Sequence, residues 1–209
     1  FNAISEDYIV NPLKCEGCGA CYFLCPAEAI DFQPNLDGNW MVSQLDNGAP
    51  LVHAELFPGQ ENSGKLVAEV RKTARNMAET NHHEYVLIDG PPGIGCPVIS
   101  SITGTDYAIV VSEPTVSGLH DLERIARLAK HFKIAAGVIV NKADLSADFV
   151  GKIKKYCQNE NIDYLGEIPY DLQISEAQKN AQTILQWAPK SKASQAIHQI
   201  YQQLLAAIQ

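Results

Sequence analysis

The sequence predicts an α/β fold, a parallel sheet wrapped by helices, with a small cysteine-rich module near the amino terminus. Two observations indicate this organisation. From about Gly64 onward, short apolar runs alternate with segments whose apolar residues recur at helical spacing, which is typical of buried parallel strands and their connecting helices. Before that point the chain is turn-rich, and four of its six cysteines fall between Cys15 and Cys25. We therefore expect two regions with different chemistry.

The composition and charge limit the classes of function. The chain has 209 residues and a net charge of −8, which is enough length for one core and a small appended module. This charge argues against nucleic acid or an anionic membrane as the main partner, since both bind cationic surfaces. The sequence shows no apolar run long enough to cross a bilayer and no secretory signal, so we expect a cytoplasmic protein without a transmembrane segment.

A small β meander is predicted between the cysteine-rich module and the α/β domain. Two hairpin turn signals, Asp37-Gly38 and Asn47-Gly48, bracket an apolar segment at residues 40–42. A second segment follows at residues 51–56, and short segments separated by turns are typical of antiparallel strands. The predicted domains are residues 1–33 for the module, 34–60 for the meander and 61–209 for the α/β domain.

The α/β domain is predicted to have four strands, of which the first three are apolar on both faces. They lie at residues 85–89, 107–111 and 136–140 and in a run that ends in residues 166–171. Helical periodicity predicts helices that begin near Leu66, Leu119, Phe149 and Ala193. Cys157 lies on the inner stripe of the third helix and is expected in the core. Ligands of parallel sheets bind at the carboxyl ends of the strands, so we expect functional residues there.

The cysteine spacing predicts an iron–sulfur site of the bacterial ferredoxin kind. Cys15, Cys18, Cys21 and Cys25 are separated by two, two and three residues, and Pro26 follows the last. Glycines between them let the backbone turn so that amide groups approach the sulfur atoms. The alternatives are a zinc site or a redox dithiol, but zinc ribbons place two Cys-x-x-Cys pairs across a longer gap. We expect these four cysteines to hold a 4Fe-4S cluster.

The number of clusters depends on the role of Cys25. In two-cluster ferredoxins the fourth cysteine of such a run binds the other cluster. Residues 1–4 resemble residues 27–30, which follow the Cys25-Pro26 pair, and this repeat favours a truncated two-cluster module whose partner cysteine would precede Phe1. The alternative is one cluster held by all four cysteines, or by three of them with Cys96. One or two 4Fe-4S clusters are therefore expected.

Polar residues that follow two predicted strands suggest a nucleotide site. Asp89 opens a Gly/Pro loop that contains Gly93. An acid at this point commonly orders Mg²⁺ through water, and such a loop can sense a γ-phosphate; the alternative is that Asp89 caps the next turn. Asn141 and Asp144 follow another strand, where an amide and a carboxylate could hydrogen-bond a nucleobase.

Together these segments resemble the MinD/Mrp-type P-loop ATPases, and within them the subgroup that has an inserted bacterial-type ferredoxin domain. The matching segments are residues 15–26, 63–67, 88–97, 113–115 with 117–122, 141–144 and 166–171. The resemblance implies ATP and Mg²⁺ bound between two subunits of a homodimer. It implies that the catalytic residue is Asp89, whose carboxylate lies on the Mg²⁺ side. It also implies that the nucleotide is bound by Gly93, Asn141, Asp144 and Pro169. The Asn-Lys-x-Asp form also occurs in guanine-reading enzymes, so the residues alone leave the base open.

The family's phosphate-binding loop is expected before residue 1, so the P-loop fold is expected to be incomplete. Residues 59–66 are a near match, but Leu66 stands where a working loop needs Ser or Thr. We therefore expect these 209 residues alone not to hydrolyse ATP, although the complete protein is expected to be an ATPase.

Two functions remain open from the sequence. The first is an ATPase whose nucleotide state gates electron transfer or iron–sulfur cluster handling, with a redox protein or an iron–sulfur acceptor as partner. The second is a non-catalytic iron–sulfur carrier or electron-transfer protein that uses the nucleotide fold as a docking body.

Overall fold

A computed structural model of the chain describes residues 2–11, 14–15, 17–33, 36–58, 60 and 64–208. The chain divides into two units, Phe1–Ile88 and Asp89–Gln209. Within the described residues, no helix combines the length and apolarity that crossing a bilayer requires.

The first unit contains a short helix, an antiparallel hairpin and a long helix. These are α1 (Ala20–Leu24), β1 (Gly38–Gln44), β2 (Pro50–Leu56) and α2 (Gly64–Asn81). The pairing of β1 with β2 runs from Gly38 opposite Leu56 to Gln44 opposite Pro50. The connecting turn is closed by the Leu45 amide, which donates to the Ala49 carbonyl at 2.9 Å. Both apolar segments predicted for the meander lie within these strands.

The strand predicted at residues 85–89 is wrong, because this segment has no regular secondary structure. Its side chains are exposed except that of Ile88, which is partly buried, and Leu87 is 91% exposed. An apolar run becomes a strand only when a neighbouring strand satisfies its backbone amides and carbonyls. Within the described residues, no strand pairs with this run. Asp89 therefore follows an irregular segment and does not end a strand.

The second unit is built on a parallel sheet, as the sequence predicted. Its strands within the described residues are β3 (Tyr107–Ser112), β4 (Ala135–Asn141) and β5 (Asp163–Ile168), in the order β3-β4-β5. Both pairings are parallel. The helices are α3 (Cys96–Ile102), α4 (Val116–His131), α5 (Ala147–Glu160), α6 (Leu172–Lys179), α7 (Ile184–Trp187) and α8 (Lys192–Ile208), and a 3₁₀ turn spans Ala143–Leu145.

Helices cover this sheet on both faces. On one face, Val138 and Val140 of β4 pack in a buried cluster with residues of α4 and α5, namely Leu122, Val150, Ile153 and Cys157. On the other face, Ile139 packs with Leu165 of β5 and Ile200 of α8. Successive strand residues point to opposite faces, so the continuous apolar run of β4 serves both layers. The predicted core position of Cys157 is confirmed, since it is 1% exposed.

The parallel strands end at one edge of the sheet. The turns that follow β3, β4 and β5 therefore lie at this edge. They contain residues 113–115, 142–146 and 169–171, and Asn141 is the last residue of β4, so most of the predicted nucleotide residues lie at this edge.

Candidate functional site

The four cysteines of the predicted cluster motif lie on one loop of the first unit. Cys21 lies in α1 and Cys25 directly follows that helix. Cys15, Cys18 and Cys21 are exposed, and Cys25 is partly buried. Gly17 and Gly19 have φ values of 61° and 72°, a left-handed backbone conformation that glycine adopts without strain. The predicted role of these glycines in turning the loop is confirmed.

Gly19 is also required by its neighbours. A Cβ atom at this position would come within 3.2 Å of the Phe23 ring and 3.3 Å of the Phe32 ring. The Phe32 ring in turn stacks on Tyr22, with ring centroids 5.7 Å apart. Partly exposed aromatic side chains therefore pack close to Gly19, directly before α1, which carries Cys21.

Backbone amides surround the sulfur atom of Cys25. The amide of Ala29 donates to Cys25 Sγ at 3.5 Å. Hydrogen bonds from Ala29 and then from Ala27 lower the pKa of the Cys25 thiol. A lowered pKa favours the thiolate, which is the form that binds a metal, and amide hydrogen bonds to sulfur are a feature of iron–sulfur sites. The chemistry of this loop therefore fits an iron–sulfur cluster.

The structure does not gather the four thiols into a finished ligand shell. Within the described residues, no three Cys, His, Asp or Glu side chains form a group that could hold a metal ion. The structure shows that the four cysteines share one loop, that three of their thiols are exposed, and that backbone amides contact Cys25 Sγ. The assignment of all four cysteines as ligands remains a prediction.

An ion pair joins the turns after β3 and β4 in the second unit. Lys142 Nζ lies 2.6 Å from a Glu113 carboxylate oxygen. The hydrogen bond with Glu113, followed by its charge, raises the pKa of Lys142. Lys142 has a left-handed backbone with φ of 53°, which directs the chain sharply out of β4 into the 3₁₀ turn. The two neighbouring turns are thus held together by charge.

The turn after β3 is itself closed by short contacts. Thr115 caps α4, since its hydroxyl accepts a hydrogen bond from the Gly118 amide at 3.0 Å. A Cβ atom at Gly118 would collide with the Glu113 carbonyl oxygen. Only glycine therefore lets the first turn of α4 approach the end of β3 this closely, and the approach places Glu113 beside Lys142.

The predicted nucleotide residues after β4 both take part in local hydrogen bonds. Asn141 Oδ1 accepts from the Lys142 amide at 3.0 Å. Asp144 Oδ1 accepts from the amide of Tyr170 at 2.7 Å, across 26 positions of sequence. Pro169 directly precedes Tyr170, so the structure brings Asn141, Asp144 and Pro169 to linked turns at one edge of the sheet. Their role as nucleotide contacts remains a prediction.

The turn after β5 is anchored on its other side by Asp171. This residue caps α6, with Oδ1 accepting from the Gln173 amide at 2.9 Å. Its other carboxylate oxygen accepts from the Ala193 amide at the start of α8, at 3.5 Å. Hydrogen bonding by Gln173, the largest cause, lowers the pKa of Asp171. Helices α6 and α8 are therefore both tied to the turn that carries Pro169 and Tyr170.

Asp89 and Gly93 are not part of this set of linked turns. The Asp89 side chain is exposed, and within the described residues no hydrogen bond or ion pair engages its carboxylate. Gly93 has φ of 93° in the bend that leads into α3. The near match to a phosphate loop at residues 59–66 falls largely outside the described residues, apart from its end in α2. Roles for Asp89 and Gly93 remain predictions.

Glu113 and Tyr170 lie at the candidate site but were not predicted as site residues from the sequence. Both follow a strand of the parallel sheet directly or within two residues, so the carboxyl-end rule could have identified them. Their partners could not have been named from sequence, because Lys142 and Asp144 reach them from other strands.

Comparison with known families identifies both parts of the chain. A ParA-type family, described as the NUBPL iron-transfer P-loop NTPase, matches residues 63–205. A 4Fe-4S binding domain matches residues 8–31, which contain all four cysteines of the loop.

Several proteins are similar along the chain. The uncharacterized protein MJ0578 of Methanocaldococcus jannaschii is 32% identical over 98% of this chain and 67% of its own length. The septum site-determining protein MinD of Bacillus subtilis is 29% identical over 72% of this chain and 58% of its own length. An iron-sulfur cluster carrier protein of Pyrococcus horikoshii is 27% identical over 54% of this chain and 43% of its own length. The chain thus spans about half to two thirds of these relatives.

Solved structures of MinD share the fold. The MinD cell division protein of Aquifex aeolicus superposes with a TM-score of 0.60 at 20% identity, over 79% of this chain and 68% of that one. MinD of Pyrococcus horikoshii, solved in complex with Mg-ADP, gives a TM-score of 0.56 at 25% identity, over 70% and 59% of the two chains. The chain therefore belongs to the MinD/Mrp-type branch of the ParA family of P-loop NTPases and carries a 4Fe-4S binding domain at its amino-terminal end.

Proposed function

We propose that this chain is part of an iron–sulfur protein in which a MinD-type ATPase domain is coupled to electron transfer or to iron–sulfur cluster handling. One observation carries the proposal: a single chain holds both a four-cysteine loop that fits a cluster and a sheet edge whose turns are tied together at the predicted nucleotide site. The similarity to an iron-sulfur cluster carrier protein supports cluster handling.

The cysteine loop is proposed to hold the cluster. Cys15, Cys18, Cys21 and Cys25 supply thiolates, and the amides that surround Cys25 Sγ stabilise negative charge on its sulfur. A bound 4Fe-4S cluster supplies one-electron chemistry or serves as the cargo that is passed to an acceptor. The exposed positions of three of the thiols leave this loop accessible to a redox partner or an acceptor protein.

The sheet edge is proposed to hold ATP in the complete protein, acting as a homodimer. Asp89 is proposed to order Mg²⁺, and the loop containing Gly93 to respond to the γ-phosphate. Asn141 and Pro169 are proposed to lie near the base. The complex of a MinD relative with Mg-ADP supports a nucleotide at a fold of this kind.

The coupling is tested by the midpoint potential of the cluster in the complete protein. An EPR-monitored redox titration is run without nucleotide, with Mg-ADP and with Mg-ATP, and transfer to an apo-acceptor is followed in parallel. We expect Mg-ATP to change the potential or the transfer rate. The variant Asp89→Asn is expected to abolish this effect and to retain the iron of the wild type. Equal potentials and equal transfer rates in all nucleotide states would contradict the coupling.

A second candidate is a carrier without ATPase activity that uses the nucleotide fold as a docking body. The observation that favours it is that Asn141 Oδ1 and Asp144 Oδ1 both serve internal hydrogen bonds. Cluster transfer that proceeds in the complete protein without any binding of adenine nucleotide would select this candidate.

A further inference from the structure

We propose that Asp144 is a positioning residue that fixes the turn after β5 against the turn after β4, and that its carboxylate does not read the base. This inference rests on the proposed nucleotide site and deepens it. It separates two roles that the Asn-Lys-x-Asp sequence leaves open, because such a carboxylate can contact either a guanine or the protein's own backbone.

The hydrogen bond between Asp144 and Tyr170 carries the proposal. Asp144 Oδ1 lies 2.7 Å from the Tyr170 amide nitrogen, a short distance typical of a hydrogen bond to an ionised acceptor. The bond joins residues 26 positions apart on turns that follow neighbouring strands. The strand pairing ends with Asn141 opposite Ile168, so this hydrogen bond extends the connection between β4 and β5 into the turns that follow them.

Neighbouring contacts make Asp144 the link between two anchored segments. On one side, the ion pair of Lys142 with Glu113 fixes the turn after β4 to the turn after β3. On the other side, Asp171 ties the turn after β5 to α6 and α8. Asp144 connects these two groups of contacts, so its loss would leave the Pro169–Tyr170 segment without a side-chain contact to the turn after β4, held by the end of β5 on one side and by Asp171 on the other.

The remaining hydrogen-bonding groups at this edge do not suit guanine. Guanine carries donors on the edge that a reading carboxylate would accept from, and adenine carries a single amino donor beside ring acceptors. Asn141 Oδ1 faces the Lys142 amide, so its Nδ2 group is the part that can donate to a base. With one oxygen of Asp144 held by Tyr170, the groups described at this edge are an amide donor on Asn141 and a carboxylate that is already engaged, which do not form the bidentate acceptor that guanine requires.

The substitutions Asp144→Asn and Asp144→Ala separate the two roles. An asparagine keeps an acceptor oxygen for the Tyr170 amide but loses the charge, and an alanine loses both. Asp148→Asn is the matched control, because Asp148 forms an exposed ion pair with Lys152 on α5. Two readouts are taken in the complete protein: hydrogen exchange of the Tyr170 amide by NMR, and competition of ADP, GDP and XDP against a fluorescent ADP analogue.

We expect Asp144→Ala to speed exchange of the Tyr170 amide and to weaken ADP binding, each by about fivefold, the value of one typical hydrogen bond. Asp144→Asn is expected to restore both readouts to near the wild-type values and to leave XDP a poor competitor. Asp148→Asn should match the wild type throughout.

Two results would overturn the inference. One is unchanged Tyr170 exchange in Asp144→Ala. The other is a change of preference from GDP to XDP in Asp144→Asn, since an amide would then donate where a base-reading carboxylate had accepted. If the wild type binds none of the three nucleotides, the proposed nucleotide site fails, and the exchange readout still decides the position-fixing role of Asp144.

Discussion

The two units of this chain are stabilised in different ways. Of the buried apolar residues that the structure describes, Ala78 is the one that lies in the first unit. The cysteine loop there carries a five-residue helix with no buried side chain. The second unit instead packs a parallel sheet between buried clusters on both faces. The turns of its candidate site follow the strands of this sheet and are joined by an ion pair and a long-range hydrogen bond.

The two sites therefore gain their folding free energy from different interactions. Small cysteine modules gain much of their folding free energy from the metal that they bind. The turns at the sheet edge gain theirs from apolar burial beneath them, which is the main favourable term in folding. The first site should therefore respond mainly to metal, and the second mainly to substitutions in the core.

The largest expected effect is on the second unit. Ile153 in α5 is fully buried in the cluster beneath the sheet, so Ile153→Ala is expected to lower the free energy of unfolding by about 2–5 kcal/mol. Denaturant unfolding followed by circular dichroism measures the loss. The control Val116→Ala, at a residue 72% exposed, should change stability by about 0.5 kcal/mol or less. Loss of bound iron in Ile153→Ala, under conditions where the chain stays folded, would contradict the conclusion that the two units are stabilised by different interactions.

Cysteines of the two units should differ in their reactivity toward iodoacetamide after metal removal. Burial raises the pKa of the Cys157 thiol to about 11, so native protein at pH 8 should leave Cys157 unmodified by iodoacetamide. Cys15, Cys18 and Cys21 are exposed and should be alkylated once a chelator has removed the metal. Peptide mass spectrometry before and after chelation measures both. Rapid alkylation of Cys157 in the folded chain would show that the core is open and would contradict the comparison.

Acid should weaken the turn after β5 through Asp171. Its pKa is lowered from 3.8 in the folded state, chiefly by the Gln173 amide. The charge therefore stabilises the fold above the unfolded pKa, and this contribution is lost as the pH falls through the folded value. Asp171→Asn keeps an acceptor oxygen but does not titrate. We expect wild type and variant to differ in unfolding free energy at pH 5 and to converge as the pH falls through the lowered folded-state pKa of Asp171. Urea titrations at several pH values would measure this, and a difference that does not change with pH would contradict the role of Asp171.

The smallest effect is expected at the Lys142–Glu113 ion pair. Its side chains are 40% and 44% exposed, so solvent and salt weaken their attraction. Lys142→Met should reduce stability slightly at low ionic strength, and the reduction should vanish in about 1 M salt. Thermal unfolding at both salt concentrations tests this. A reduction that is independent of salt would show that packing of the lysine stem, and not charge, holds the two turns.

Much of the fold could be predicted because apolar patterns report burial. The runs in β3 and β4 and the periodic helices α4, α5 and α8 are all confirmed. The strand predicted at residues 85–89 failed because pairing depends on a neighbouring strand, which the local pattern does not reveal. The short helices α6 and α7 were missed because they are too short to show a helical apolar period, although Asp171 caps α6 and Thr183 forms a capping box with Gln186 at the start of α7.

The candidate site was predictable in position but not in its connections. Strand ends indicated Asn141 and Asp144, the family resemblance added Pro169, and cysteine spacing indicated the metal loop; the roles of these residues remain predictions. The hydrogen bond from Tyr170 to Asp144 joins two turns through the tertiary structure, so no local pattern encodes it. The amide contacts around Cys25 are local, from residues two to four positions further along, but the cysteine spacing does not show how the chain turns after Pro26.

The cysteine loop is expected to hold an iron–sulfur cluster. The iron and acid-labile sulfide content of the complete protein, purified without oxygen, tests this most directly. Cys18→Ala is compared with Cys96→Ala, whose exposed cysteine lies in the second unit. We expect roughly four iron and four sulfide atoms for each cluster of the loop, lost in Cys18→Ala and retained in Cys96→Ala. Zinc in place of iron, or iron that is unaffected by Cys18→Ala, would contradict the account.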